Sequence, residues 1–307
     1  MREDTEVQMG TFFKQIYRYT HPRRYRHNEN LWPYVKITRA SEGHINSLSL
    51  RGKRVPIINL SDLQKKYSGD LLIVASGPSV NETDFAPLQS LPAMGVNGSW
   101  FLNDKINFNF FVIVDMTFID QRLSMVEEVI SDPDLLFFTT VHGIVKIIDR
   151  FGQSAIRCQV AIIEDACVKI FQPKVSNNEI PLHWQHDKSV SFWEKNRSIA
   201  FNHDIRKGIF DAATVVYWSL QIIQFIGFNR VIIAGLDMNN FQQPRFYENK
   251  DDISPSYLES QFTTLIEPAF RHARNELELK GIEILNLSLN SALDNSIFRK
   301  VKTNEIL

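Results

Sequence analysis

The chain has 307 residues, of which 44% are apolar and 22% charged, and its formal net charge is −1. This length suits one large α/β domain with an appended segment, or two small domains. A net charge near zero gives no indication of nucleic-acid or membrane binding through bulk charge. Two cysteines are too few for a disulfide framework. Because we find neither a signal peptide nor an apolar run long enough to cross a bilayer, we expect a cytoplasmic protein.

Residues 1–68 form a basic, aromatic segment ahead of the first strongly apolar run. Between Lys14 and Arg54 the acidic residues are Glu29 and Glu42 alone. Aromatic side chains beside cations suit a membrane interface that carries anionic head groups. An ordinary surface helix followed by a solvated arm fits the same composition, so both interpretations stay open.

An alternation of buried strands and helices begins at residue 70. Residues 71–75 are a continuous apolar run, typical of a strand buried on both faces, and the turn Ser76-Gly77-Pro78-Ser79 ends it. Residues 172–207 are polar and aperiodic, which predicts loops with short helices. The remaining predicted elements are strands at 94–96, 108–114, 135–141, 230–235 and 281–287, and a helix at 214–225 closed by Gly227. This order indicates an α/β fold with a parallel, doubly wound sheet.

Ligands bind beyond the carboxyl ends of the strands in an open parallel sheet. The turns that fall there are 76–79, 96–99 with Asn97, 114–117 with Asp115, and 235–238 with Asp237. We expect free backbone N–H groups of the first turn to form a small anion site, although a plain strand-to-helix turn would have the same residues. Asp115 and Asp237 suit either a ligand contact or a helix cap.

These turns carry a resemblance to a known family. GPS after the first sheet strand, VNGS after the second, VD after the third, then GFNRVIIAGLD, RFYENK and NLSLNS follow one another in the chain. Taken together, they resemble the lipopolysaccharide core transferases of 3-deoxy-D-manno-octulosonic acid (Kdo) of the WaaZ (RfaZ) type. More distantly, they resemble the bacterial sialyltransferases that use CMP-sialic acid. The resemblance spans about residues 70–297, is weaker over 145–202, and does not include the first 68 residues.

The resemblance implies a fold, a reaction and partners. The fold would be a Rossmann-like, sialyltransferase-like variant of the GT-A architecture at 69–307, with a lid at about 238–265 and the basic extension at 1–68. The reaction would move Kdo from CMP-Kdo to the inner core of lipopolysaccharide or another lipid-linked glycan, with inversion and without a metal or cofactor. Peripheral contact with the inner membrane would fit such an acceptor; nucleic acid is not an expected partner.

The resemblance assigns most of the candidate site residues, whereas His272 and Arg245 are candidates from this sequence alone. The nucleotide contacts would come from Ser76, Gly77, Pro78, Ser79, Asn97, Thr214, Asp237, Ser288 and Ser291. The catalytic candidates are Asp115, His272, Tyr247 and Arg245. Tyr247 would bond the leaving phosphate, and Arg245 would pair with the carboxylate of the donor or else be a solvated lid residue. Asp115 would lie near the cationic transition state or act as base.

The sequence departs from the sialyltransferase pattern in the leaving-group and base positions. Ser76 and Asn239 stand where those relatives have Asn and Tyr, and no His lies between Asp237 and Arg271. The general base therefore stays open between Asp115, His272 and Glu248.

Three other functions stay open on the sequence. The first is transfer of another CMP-linked nonulosonic acid, such as a sialic acid, to capsule or glycan. The second is a nucleotide-binding or pterin pyrophosphokinase-like protein on the same type of sheet, which would need metal-binding carboxylates. The third is an inactive scaffold that binds CMP without turnover.

Overall fold

The computed structural model describes residues 2–239, 241, 244–248 and 258–306, with the backbone alone for residues 2–10. Part of the predicted lid, namely residues 240, 242–243 and 249–257, lies outside the described residues. None of the described helices is both long and apolar enough to cross a membrane.

The N-terminal segment folds onto the rest of the chain. It contains α1 (Arg2–Thr20) and an antiparallel sheet of β1 (Val35–Arg39), β2 (Ile45–Leu50) and β3 (Lys53–Val55). The side chains of Leu31, Val35 and Ile45 are buried in the same apolar cluster as one face of the main sheet. The amide of Ile58 donates to the carbonyl of Val160 at 2.8 Å. The solvated-arm interpretation is therefore wrong for the three-stranded sheet.

The main sheet has eight strands. They are β4 (Asp70–Val74), β5 (Ala93–Val96), β6 (Phe108–Ile113), β7 (Leu136–Thr139), β8 (Gln159–Ile162), β11 (Arg230–Ala234), β12 (Glu283–Asn286) and β13 (Arg299–Lys300). Their order is β13-β12-β11-β4-β5-β6-β7-β8, and every neighbouring pair is parallel. The chain runs outward from β4 to β8 and then returns to the other side of β4. The predicted α/β, Rossmann-like, doubly wound fold is confirmed.

Helices cover both faces of this sheet. They are α2 (Met116–Gln121), α3 (Leu123–Ser131), α4 (Val141–Phe151), α5 (Ile180–Trp184), α6 (Val215–Ile226), α7 (Leu258–Gln261) and α8 (Glu267–Glu278), with a π-helical turn at Phe262–Ile266. Leu71 and Ile73 belong to the cluster on one face, and Leu72 and Val74 to the cluster on the other. Successive side chains of β4 point to opposite faces, and both faces are covered, so the run is apolar throughout.

Two predictions about the second half of the sheet have different outcomes. α6 ends at Gly227, whose φ of 115° is left-handed, as predicted for the residue that closes the helix. The prediction of loops with short helices over 172–207 is incomplete, because β9 (Val190–Phe192) and β10 (Ala200–Asn202) form an antiparallel hairpin there. These strands are too short for a periodic apolar pattern.

Candidate functional site

The first part of the site is the point where the strand order reverses. β4 and β11 are neighbours, but the chain leaves them toward opposite edges of the sheet. Such a switch point leaves a crevice outside the carboxyl ends of the two strands. The turn after β4 contains Gly77 and Ser79, and the turn after β11 contains Gly235 and Asp237. The two turns face each other across this crevice.

Hydrogen bonds clamp these two turns together. The amide of Gly77 donates to the carbonyl of Gly235 at 3.0 Å. The amide of Ser79 donates to Oδ2 of Asp237 at 2.9 Å, and the Ser79 hydroxyl donates to the other carboxylate oxygen. Ser79 Oγ also lies 2.7 Å from Ser288 Oγ. Asp237 is thus a buried acceptor that fixes the shape of the first turn.

The predicted anion site on that turn is wrong in its chemistry. The amides of Gly77 and Ser79 are already bonded within the protein, and Pro78 has no N–H. Ser79, Ser288 and Ser291 do not line the cleft in the described part of the chain, so their predicted contacts with a nucleotide become supporting roles. Ser76, Gly77, Pro78 and Asp237 do line it.

The cleft has two connected chambers. The turn chamber has a volume of about 470 Å³ and lies between the β4 and β11 turns and the start of the predicted lid; its wall includes Ser76, Asn239 and Arg245. The acidic chamber has a volume of about 480 Å³ and is lined by Asp115, Glu164, Asp165 and Asp211. The residues shared by both walls are Asn97, Asp115, Asp211, Ala213, Thr214 and Val215.

Asn97 lies on the shared wall and is unusual in two ways. Its φ is 48°, in the left-handed region that Asn tolerates better than most residues. Its Oδ1 is buried and has no hydrogen-bond partner among the described residues. Buried polar atoms are nearly always paired, so this oxygen lacks the partner that such an atom normally has.

Thr214 and Asp115 each cap a helix at the wall of the cleft. Thr214 Oγ1 accepts from the amide of Val216 at 3.4 Å and caps α6. Asp115 Oδ1 accepts from the amide of Thr117 at 2.8 Å and caps α2. Both residues also line the cleft. Asp115 does so just after the carboxyl end of β6, and Thr214 at the start of α6. The positive ends of two helices therefore face this space.

The two lid candidates are placed differently. Arg245 lines the turn chamber, and its Nη1 donates to Glu248 Oε1 at 2.7 Å. Tyr247 lines neither chamber; its ring stacks on Phe101 with centroids 5.4 Å apart and covers Gly98. Burial raises the pKa of Tyr247 to about 12. The ring thus packs behind the Asn97 turn, which does not favour its predicted contact with a phosphate.

The structure separates His272 from the other candidates. His272 is 4% exposed, and its Nε2 lies 3.1 Å from Ser191 Oγ on the β9–β10 hairpin. Its Nδ1 lies 3.9 Å from Glu276 on the same helix. It lines neither chamber, so its assignment as a catalytic base is corrected to a packing role between α8 and the hairpin.

Apart from Asp115, the carboxylates of the acidic chamber were not among the residues predicted from the sequence. Glu164 and Asp165 follow β8, and Asp211 precedes α6. Burial, together with the like charge of Asp211, raises the pKa of Asp165 to about 6. The signal was present, because the apolar run 160–163 followed by two acids has the same form as the other strand ends.

Comparison with known proteins gives a family for this geometry. The family model of the 3-deoxy-D-manno-octulosonic acid transferase WaaZ matches residues 182–304, which include α6, β11 and Asp237. The chain is related to the WaaZ-type transferases. The resemblance predicted from the sequence is thereby confirmed.

Two bacterial relatives extend this similarity beyond the matched segment. The "probable 3-deoxy-manno-octulosonic acid transferase" of Escherichia coli K12 is 25% identical over 256 residues, covering 80% of this chain and 86% of the relative. The protein of the same name from Salmonella typhimurium LT2 is 25% identical over 257 residues, covering 80% of this chain and 91% of the relative. No solved structure matches the chain.

Proposed function

We propose that the chain is a glycosyltransferase that moves Kdo from CMP-Kdo to the inner core of lipopolysaccharide. The observation that carries the proposal is the cleft at the β4–β11 switch point in a chain related to WaaZ-type transferases. A switch-point crevice is the usual place for a nucleotide in a doubly wound sheet. The turn chamber would hold the CMP-sugar, and the acidic chamber would admit the acceptor.

The residues of the turn chamber suit a leaving group with a single phosphate. Asn97 offers an amide, Thr214 offers a hydroxyl, and the N-terminus of α6 adds its partial positive charge. Hydrogen-bond donors of this kind can stabilise the developing charge on CMP. Among the described residues of this wall the cation is Arg245, which would face the carboxylate of the donor sugar.

Asp115 has the position expected of a negative group near the reacting carbon. It lies on the wall that both chambers share, where the sugar ring would sit between the nucleotide and the acceptor. The transition state of glycosyl transfer has oxocarbenium character, which an adjacent carboxylate stabilises. Attack from the acidic chamber on a donor held in the turn chamber would come from the face opposite CMP, and so would invert the anomeric carbon.

The acceptor gives the N-terminal segment a role at the membrane. Tyr19 is 90% exposed and Phe12 is 58% exposed, both on the helix that also carries Lys14 and Arg18. Exposed aromatic rings beside cations favour an anionic interface. We therefore include peripheral contact with the inner membrane in the proposal.

A ligand panel followed by turnover tests the proposal. CMP should raise the melting temperature by mass action, equally with and without EDTA, whereas UDP, GDP, AMP and NAD should not. The chain should then release CMP from CMP-Kdo in the presence of lipopolysaccharide core. Stabilisation by a diphosphate that requires a divalent metal would overturn the proposal and favour a nucleotide-metal enzyme. Transfer from CMP-sialic acid and not from CMP-Kdo would show that the donor is a different CMP-linked nonulosonic acid.

A pair of glycine variants isolates the nucleotide contact. Asn97→Gly keeps the left-handed backbone and removes the amide, so it should lose the response to CMP. It should fold about as well as wild type, because relief of the left-handed strain offsets the greater freedom of glycine in the unfolded chain. Lys65→Gly is the control, because Lys65 also has a left-handed φ of 52° but is exposed and lies outside the cleft. An Asn97→Gly protein with an undiminished response to CMP would place the nucleotide elsewhere.

A further inference from the structure

The acidic chamber contains more than one carboxylate that could accept a proton from the acceptor hydroxyl. Which of them does so is a question that rests on the proposed function. Asp115 follows β6 and Asp165 follows β8, with β7 between these strands. Neighbouring strands lie about 4.8 Å apart, so two spacings put the two backbones about 10 Å apart across the chamber. Both residues line the chamber, so an acceptor hydroxyl bound there would lie between Asp115 and Asp165.

The two carboxylates have different surroundings. Asp115 is exposed and accepts a hydrogen bond at the N-terminus of α2, where a helix favours negative charge. Asp165 is largely buried, and its Oδ1 accepts from the amide of Cys167 at 2.6 Å. Environments that separate two titratable groups in this way commonly divide their roles between fixed charge and proton transfer.

The charges around Asp165 favour proton uptake. Burial raises the pKa of Asp165 most, and the nearby Asp211 raises it further, while the cation of Lys174 opposes them. The Cys167 thiol, whose pKa burial raises to about 12, stays neutral and adds no charge. A carboxylate that titrates near pH 6 is ionised at neutral pH and is a stronger base than an ordinary aspartate.

The other carboxylates of the chamber are already bonded within the fold. Glu164 accepts two bonds from Arg39, at 2.6 and 2.8 Å. Asp211 accepts from the indole of Trp218 at 2.7 Å and from the amide of Ala213 at 3.0 Å.

The imidazole of the chamber is committed in the same way. His142 Nε2 lies 2.9 Å from the carbonyl oxygen of His27, so it donates there. Burial lowers the pKa of His142, which keeps its ring neutral near pH 7.

We infer that Asp165 is the general base of the transfer, and that Asp115 is the fixed negative charge beside the anomeric carbon. The acceptor oxygen bonds to the anomeric carbon as the bond from that carbon to the phosphate oxygen breaks. The electron pair of the broken bond leaves with CMP. The acceptor proton passes to the Asp165 carboxylate and later to solvent.

The experiment compares Asp165→Asn with wild type on two acceptors. With the sugar acceptor, kcat/KM should fall by about 10²- to 10⁴-fold, and the acid limb of its pH profile should disappear. With azide, an anionic nucleophile that carries no proton, the variant should transfer as fast as wild type. Asp115→Asn should be slow with both acceptors. CMP should stabilise Asp165→Asn as it does wild type, since the turn chamber is untouched.

Asp211→Asn supplies a second readout, because removing the like charge lowers the pKa of Asp165. The acid limb for the sugar acceptor should move to lower pH in that variant. If Asp165→Asn lost as much activity with azide as with the sugar acceptor, the inference would be overturned in favour of a structural role. An acid limb that did not move in Asp211→Asn would also overturn it. Full sugar transfer by Asp165→Asn would overturn it while leaving the transferase intact. Wild type that binds CMP yet turns over no CMP-sugar would overturn the proposed function and the base role with it.

Discussion

Gly77→Ala tests the idea that the first turn is locked against Asp237 and the β11 turn. The backbone of Gly77 has φ −69° and ψ 152°, which any residue adopts, so the effect of alanine is purely steric. Its Cβ would lie 2.5 Å from the carbonyl oxygen of Gly235 and 2.5 Å from Asp237 Oδ2. Ordinary contact is near 3.5 Å, so the turns must separate by about 1 Å.

That separation removes identifiable bonds. The 3.0 Å bond from the Gly77 amide to Gly235 would lengthen beyond hydrogen-bond range, at about 1 kcal/mol. Weakening the bonds from Ser79 to the Asp237 carboxylate adds about 1.5 to 3 kcal/mol. We expect a total loss of about 2.5 to 4 kcal/mol, seen as a melting temperature lower by about 4 to 6 °C. The response to CMP should also be lost.

Thermal unfolding with and without CMP measures both effects, and Gly98→Ala is the matched comparison. A Cβ at Gly98 would overlap the ring of Tyr247, a side chain that can swing aside rather than a backbone atom. Losing its stacking on Phe101 costs about 1 kcal/mol. If Gly77→Ala had the melting temperature of wild type and kept its response to CMP, the hydrogen bonds between the two turns would not control the donor site.

Further predictions concern the rest of the fold. Arg39→Met leaves the carboxylate of Glu164, which is 7% exposed, without its cationic partner. The free energy of unfolding measured in urea should fall by about 3 to 5 kcal/mol, and the double variant with Glu164→Gln should regain most of that loss. Hydrogen bonds from Ser176 hold the pKa of Glu179 at about 2, below its usual 4.5, so its contribution to stability is complete above pH 4.5 and falls away toward pH 2. Wild type and Glu179→Gln should therefore differ less in stability at pH 3 than at pH 7. Tyr19→Ser should weaken cosedimentation with anionic vesicles, and neutral vesicles should bind neither protein.

The sheet was predictable where its strands are buried on both faces. β4 and β11 are continuous apolar runs because helices cover both sides of them, and their limits fall within a residue of the prediction. β8 was missed because its first residue, Gln159, is exposed and its run is short. The β9–β10 hairpin was missed because its packing depends on α8, which lies far along the chain.

The site was predictable as a set of strand ends and not as a set of contacts. Strand ends identify Asn97, Asp115 and Asp237 without any knowledge of distance. The hydrogen-bond partners of these residues could not be predicted in the same way. Ser79 and Asp237 are 158 residues apart in sequence, and no local pattern relates them. In the motif that looked most like an anion site, the amide of Gly77 therefore bonds the carbonyl of Gly235 and the amide of Ser79 bonds Asp237, which the sequence also marked as a candidate ligand contact.

Backbone strain at the cleft also depends on contacts that the folded chain imposes. Asn97, Ala213 and Met238 all have left-handed φ values, of 48°, 58° and 50°, and all line the cleft. Asn accepts this conformation, whereas Ala and Met adopt it at a cost of about 1 kcal/mol or more each. Such conformations persist only where the surroundings impose them; here Asp211 holds the amide of Ala213. Because the fold imposes these conformations, a donor bound here would meet a wall of fixed shape, which is the condition under which polar groups stabilise a transition state most.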